Sequence, residues 1–174
     1  MLDLTAFLRA LPETDISVVL RHIGHTAFVI TAGVGKSGHI AAKCAATFRS
    51  TGTPAAYLSL SDAGHGELGL VQGRQVVLLF SDSGRSPEIE PLLLHARREN
   101  VPVFAITSTP GAPAWNRTAG CIPYPHIPEP TPSLSCAMQM LTGDKIALAV
   151  AQHRGFCDYD GVHPAGHREC RQPL

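Results

Sequence analysis

Gln75-Val76-Val77-Leu78-Leu79-Phe80-Ser81-Asp82-Ser83-Gly84-Arg85-Ser86-Pro87-Glu88 is the stretch that decides the fold. Gln75 to Phe80 is an almost unbroken apolar run, too short for a helix, and reads as a strand buried on both faces. It stops in a polar loop, after which Ile89, Leu92, Leu93 and Ala96 recur at helical spacing. Ser86 is suited to the N-cap of that helix, with Pro87 at its first position. A fully buried strand leading through a polar turn into a helix is half of a strand–helix–strand crossover, and crossovers build parallel sheets.

The same pattern extends in both directions. Upstream, Ala27 to Thr31 is β-branched and aromatic enough for a first strand, which ends at Gly33. From Ser37 onward Ile40, Ala41, Cys44, Ala45 and Phe48 mark a helix that stops at Gly52, with Pro54 shortly after. Ala55 to Leu60 reads as a second strand, followed by the long glycine-rich loop Ser61 to Gly69, which has room for a helical turn. Downstream, Val101 to Thr107 is a fourth strand, Ala112 to Ala119 a weak helix and Cys121 to Tyr124 a fifth strand. The proline-rich Pro123 to Pro132 must be a loop, a long helix runs from Ser133 to Gln152, and the tail after Gly155 is polar and turn-rich. Alternating strands and helices with right-handed crossovers give a parallel sheet covered on both faces. Ligands then belong beyond the carboxyl ends of the strands.

With 174 residues, 44% of them hydrophobic, and a mean hydropathy of +0.08, the chain has material for one core. Fourteen basic residues balance 14 acidic ones, so no global field draws it to nucleic acid or to an anionic membrane, and any anion must be held locally. The first 15 residues carry Asp3 and Glu13, lack a basic leader and contain no long apolar run, so a cytoplasmic protein without membrane contact is expected. The five cysteines form no C-x-x-C pair and read as reduced fillers.

Gly33-Val34-Gly35-Lys36-Ser37-Gly38 matches G-x-G-x-x-G at a strand-to-helix turn, where small residues let backbone amides approach an anion. A P-loop is excluded, because Ile30 stands where its first glycine should be. Asp62 lies slightly beyond the distance expected of a ribose-binding acid, which leaves a nicotinamide-dependent oxidoreductase open; so is a plain tight turn with Lys36 in solvent. A dinucleotide fold gives no reason for the second loop, in which Ser81, Ser83 and Ser86 bring three hydroxyls and a helix N-terminus to one place. These serines either hold a phosphate or only cap and turn, and Glu88 is either a base or a carboxylate favoured by the helix dipole. His163 and His167, with Cys170 nearby, have metal-like spacing, but Pro164 and Gly166 make the segment a turn, and no metal or cofactor is expected. His39, His95, His126 and His153 read as surface residues, Trp115 and Phe104 as core.

Gly35-Lys36-Ser37-Gly38-His39-Ile40, Ala45-Ala46-Thr47-Phe48, Ser50-Thr51-Gly52-Thr53-Pro54, His65-Gly66-Glu67-Leu68-Gly69, Ser81-x-Ser83-Gly84-x-Ser86-x-Glu88-Ile89, Gly143-Asp144 and His163-Pro164-x-Gly166 together resemble the sugar isomerase (SIS) domain of arabinose-5-phosphate isomerases. The resemblance implies a three-layer α/β/α sandwich with a five-stranded parallel sheet, one domain over residues 1–174 without the paired CBS domains of longer relatives, and a homotetramer. It also implies interconversion of D-arabinose 5-phosphate and D-ribulose 5-phosphate through an enediol, in the supply of envelope sugars such as Kdo. The family's catalytic positions fall on Lys36, Glu88 and His163, the last crossing a subunit interface. Its phosphate and substrate positions fall on Gly35, Ser37, Ser81, Ser83, Gly84, Ser86 and Ser133, with His65 close by. For the family's second glutamate, Glu129 is a displaced candidate and Tyr124 the ungapped one. Asp82 stands in place of an asparagine, Asp62 of a glutamate, and Arg85 of an often acidic residue. Isomerisation of another sugar phosphate, or a non-catalytic module that senses one, remain alternatives.

Overall fold

A computed structural model describes residues 15–24 and 28–163. The strands β1 (Phe28–Gly33), β2 (Ala55–Ser59), β3 (Gln75–Phe80), β4 (Val103–Thr107) and β5 (Gly120–Pro123) form one five-stranded sheet in the order β2-β1-β3-β4-β5, and every neighbouring pair is parallel. The helices are α1 (Ser17–Ile23), α2 (Gly35–Ser50), α3 (Ile89–Arg98), α4 (Leu134–His153) and the single turn α5 (Tyr159–Val162).

Alternation along the strands makes three layers. In β3, Val76, Leu78 and Phe80 join a core formed with α1, α2 and α4, while Val77 and Leu79 join a second core formed with α3 and the 3₁₀ segment Pro113–Arg117. Both faces of the central strand are therefore dry, as its unbroken apolar run requires. From β1 the chain moves outward to β2, then returns across the sheet to β3 on the other side of β1. With crossovers of one hand, that reversal sends α2 and α3 to opposite faces, where they lie.

Local differences from the sequence reading have local causes. α1 occupies the start of an apolar stretch whose strand signal is the stronger one; Val19 and Ile23 are its buried residues. α3 begins at Ile89, not after a Ser86 cap, because the amides of Ile89 and Glu90 bond back to the carbonyls of Ser86 and Pro87 (3.2 Å each) in a tighter first turn, with Glu88 as the N-cap. β4 starts at Val103, since the amides of Asn100 and Val101 are used to close α3 on Arg97 and Ala96, with Asn100 left-handed at φ 56°. The weak helix is the 3₁₀ turn Pro113–Arg117, and the long loop after β2 holds two short 3₁₀ turns, Ala63–His65 and Glu67–Leu70.

Gly143 explains part of the Gly-Asp motif. α4 crosses α2 so closely there that a Cβ on Gly143 would stand 2.4 Å from Cys44 Sγ and 3.1 Å from Phe80 Cζ. Beside the contact, Lys43 pairs with Asp144. Overpacking of this kind costs about 1–3 kcal/mol. Gly143→Val is expected to lower the midpoint of urea unfolding with an unchanged m-value, and adding Cys44→Ala should recover part of the loss.

Candidate functional site

The strands end level. Gly33 pairs with Ser59 on one side and Phe80 on the other, Phe80 pairs with Ile106, and Thr107 with Pro123. Neighbouring strands lie about 4.8 Å apart, so the loops leaving β1 and β3 start side by side and then diverge to opposite faces. The crevice between them is where an α/β sheet of this topology binds its ligand.

The β1 loop is built on close approach. A Cβ on Gly33 would meet the Ser37 carbonyl at 2.8 Å, and one on Gly38 would meet the Tyr57 hydroxyl oxygen at 2.7 Å. Gly35 adopts φ +58°, which an L side chain rarely takes. The buried Thr31 hydroxyl donates to the Ala41 carbonyl (2.7 Å), fastening α2 to β1. The turn presents exposed Lys36 and half-buried Ser37 at the start of α2.

The β3 loop is held from below. Ser81 is buried and its Oγ accepts from the Gly84 amide (3.2 Å), so this serine forms a turn. Gly84 has φ +66°, and a Cβ there would stand 2.6 Å from the Trp115 ring. Trp115, anchored through its Nε1 to the Thr109 carbonyl (2.8 Å), is core as expected but also the floor of this loop. The Asp82 carbonyl accepts from Thr107 Oγ1 (2.7 Å) and from the Ser108 amide (3.2 Å) at the end of β4. Ser83, Ser86 and Glu88 are half-buried, and α3 has no side-chain cap, so neither serine is spent on the helix end. Arg85 is exposed.

The β5 loop brings a fourth element. Glu129 accepts from the amides of Ser133 (2.9 Å), Leu134 (2.7 Å) and Ser135 (2.9 Å), and from Ser135 Oγ (2.6 Å). Partial burial works against its charge, but the four donors prevail and hold its carboxyl below the usual glutamate range. Glu129, the displaced candidate for the second glutamate, is thus the cap of α4, and the amide of Ser133 is bound to it. The Cys136 thiol in the next turn is raised by burial and by Glu129 and Asp82, against the opposing pull of Lys36. Tyr124, the other candidate, is buried; its hydroxyl donates to Asp82 Oδ1 (2.7 Å) and accepts from Gln139 Nε2 (2.9 Å), and burial is the main cause that raises its pKa.

His65 is exposed on the β2 loop at this same end of the sheet. His163 is not. It caps α5, bonded to the Tyr159 carbonyl, and Tyr159 stacks edge-on against Phe156, which covers Gly52 just past the carboxyl end of α2. α2 has 16 residues and is about 24 Å long, so the Phe156 contact that anchors this segment is roughly a helix length from Lys36 in the same chain. His167 and Cys170, the other members of the metal-like trio, lie outside the described residues. Among the described residues no group of His, Cys, Asp or Glu could hold a metal ion, and no helix is long and apolar enough to cross a membrane.

The fold and loops define a doubly wound α/β domain with a glycine turn and a serine loop at its switch point. The chain belongs to the SIS domain family, whose model matches residues 23–154. It is 37% identical over 145 residues to arabinose 5-phosphate isomerase GutQ of Salmonella typhi, covering 79% of this chain and 45% of that protein. It is 38% identical over 146 residues to arabinose 5-phosphate isomerase KdsD of Escherichia coli K12, covering 79% and 44%. The chain spans about half the length of the curated relatives it matches. Among solved structures, c3406 of E. coli CFT073 in complex with arabinose 5-phosphate superposes with a TM-score of 0.83 at 30% identity, covering 92% of this chain and 93% of that one.

The Glu129 cap carries a pH signature. Its carboxyl titrates lower in the folded chain than in the unfolded one, so its stabilisation is complete above the unfolded pKa and is lost as pH falls through the folded one. Glu129→Gln should cost about 1 kcal/mol at neutral pH, as lost caps do, and the gap to the parent chain should close in acid. Chemical denaturation as a function of pH measures it.

Proposed function

We propose that the chain interconverts an aldose phosphate and the matching ketose phosphate, with D-arabinose 5-phosphate and D-ribulose 5-phosphate as the pair. The observation that carries this reading is the register of β1 and β3, which opens the glycine turn and the serine loop into one crevice, with Lys36 on one lip and Ser83, Ser86 and Glu88 on the other. The names of its relatives support it.

In this reading the phosphate sits between the starts of α2 and α3, taking hydrogen bonds from Ser83, Ser86 and backbone amides. Holding the remote end of the substrate fixes its carbonyl end, so binding energy is spent on orientation. Glu88, two residues after Ser86, removes the proton from the carbon beside the carbonyl and returns it to the neighbouring carbon, through an enediol. Lys36 stabilises the negative oxygen of that intermediate. His163, on a segment anchored at the far end of α2 in its own chain, serves the crevice of a neighbouring copy, which makes a homo-oligomer part of the proposal.

A sugar-phosphate sensor is the second reading, favoured by one observation: Glu129 is engaged by four donors and is poorly placed to exchange protons. Incubation with arabinose 5-phosphate in heavy water separates the two. Deuterium at the carbon beside the carbonyl, together with ketose formation, is expected; binding without exchange would leave only the sensor. Glu88→Gln should lower kcat by about 10³-fold or more while leaving the circular dichroism spectrum and phosphate binding in place. Mixing Glu88→Gln chains with His163→Asn chains should restore part of the activity, since mixed oligomers then contain crevices with both groups intact.

A further inference from the structure

We propose that Tyr124 is a positioning residue: its hydroxyl, oriented by Gln139, holds Asp82 so that the serine loop is set for phosphate before the ligand arrives. The proposal rests on the reading above that this loop takes the phosphate of a sugar.

The hydrogen bonds run in one direction. Gln139 Nε2 donates to the Tyr124 hydroxyl oxygen (2.9 Å), so the tyrosine proton is directed to its other neighbour, Asp82 Oδ1, at 2.7 Å. Asp82 stands between Ser81 and Ser83, and its carbonyl is independently fixed by Thr107 Oγ1 (2.7 Å) and the Ser108 amide (3.2 Å). Both the peptide and the side chain of this residue are therefore tied to the ends of neighbouring strands, and Ser83 follows directly.

The arrangement is costly, which separates it from ordinary packing. Tyr124 and Gln139 are 3% and 1% exposed, and Gln139 Oε1 has no hydrogen-bond partner. A buried carbonyl left unsatisfied destabilises the fold, and a leucine at 139 would fill the space without that cost. The glutamine side chain gives α4 one thing a leucine could not, a donor that turns the Tyr124 proton towards the loop. Where the family resemblance leaves position 124 as an ungapped counterpart of a catalytic glutamate, the structure gives it a phenol that reaches the phosphate loop from beneath.

Removing the hydroxyl should loosen the loop and weaken binding without touching the reacting carbons. Tyr124→Phe is expected to raise the calorimetric Kd for arabinose 5-phosphate about tenfold, and that for inorganic phosphate in parallel, with KM following and kcat within about twofold. Asp82→Ala should do the same, and the double variant should be no worse than Asp82→Ala alone, because both break one link. Asp82→Asn keeps an oxygen to accept the tyrosine proton and should bind as the parent does or tighter. Parent-like binding by Tyr124→Phe, additive losses in the double variant, or a fall in kcat with KM unchanged would each overturn the proposal. A parent chain that binds arabinose 5-phosphate without turnover sinks the isomerase reading and leaves this one standing; a parent chain that binds neither ligand sinks both.

Discussion

A strand–helix–strand crossover has one hand, and this chain adds β2 to one side of β1 and β3 to the other. Those two facts leave no freedom in where α2 and α3 go: they must leave the sheet on opposite faces. The loops that start them part company at the carboxyl ends of β1 and β3, and a crevice opens there that no side chain had to carve. The glycines of the first loop and the serines of the second are answers to that geometry. Gly33 and Gly38 let α2 lie against β1 without a Cβ between them, and Gly84 lets the second loop rest on Trp115.

The far end of the sheet is tied down differently. Arg154, past the end of α4, donates to the carbonyl of Ile23 (2.8 Å) and to Thr53 Oγ1 (3.3 Å), joining the approaches to β1 and β2. Gly143 brings α4 against α2, and Val150 and Ala151 bury its last turns. α4 therefore spans the domain, with its first turn beside the crevice and its last at the opposite edge. Gln139, deep in this core helix, reaches Tyr124 beneath the β3 loop from its first half.

The sheet, its strand content and the position of the crevice are legible in Gln75 to Glu88 and its echoes, because buried parallel strands are apolar runs and little else competes for that pattern. Lys36, Ser81, Ser83, Ser86 and Glu88 are legible as candidates for the same reason: they follow such runs directly. The supports are not. Thr107, Ser108, Trp115 and Gln139 reach the loop across strands or from a distant helix, and no spacing along the chain announces a contact between residues 82 and 139. The capping role of Glu129 escapes the sequence for a related reason. Its carboxylate is four to six residues from the amides it caps, farther than a side chain at the N-cap itself would be, and a proline-rich loop hides the curvature that returns it to the helix. The placement of His163 at the other edge depends on the packing of Phe156 over Gly52, which sequence order does not reveal.

Among the described residues three helices longer than two turns, α2, α3 and α4, begin at the crevice end, and each turns its first amides and the positive end of a dipole there. At α4 the chain supplies its own anion: Glu129 takes up three of the amides and a hydroxyl. At α2 and α3, whose N-caps are Val34 and Glu88, no side chain makes a capping bond. The two helix starts that flank the crevice thus have no side-chain acceptor, the amides of Ile89 and Glu90 turning back only to the carbonyls of Ser86 and Pro87, while the third, offset towards β5, carries its own carboxylate. On the proposed reading a phosphate dianion is favoured at these two starts over that of α4, where the carboxylate of Glu129 already occupies the donors.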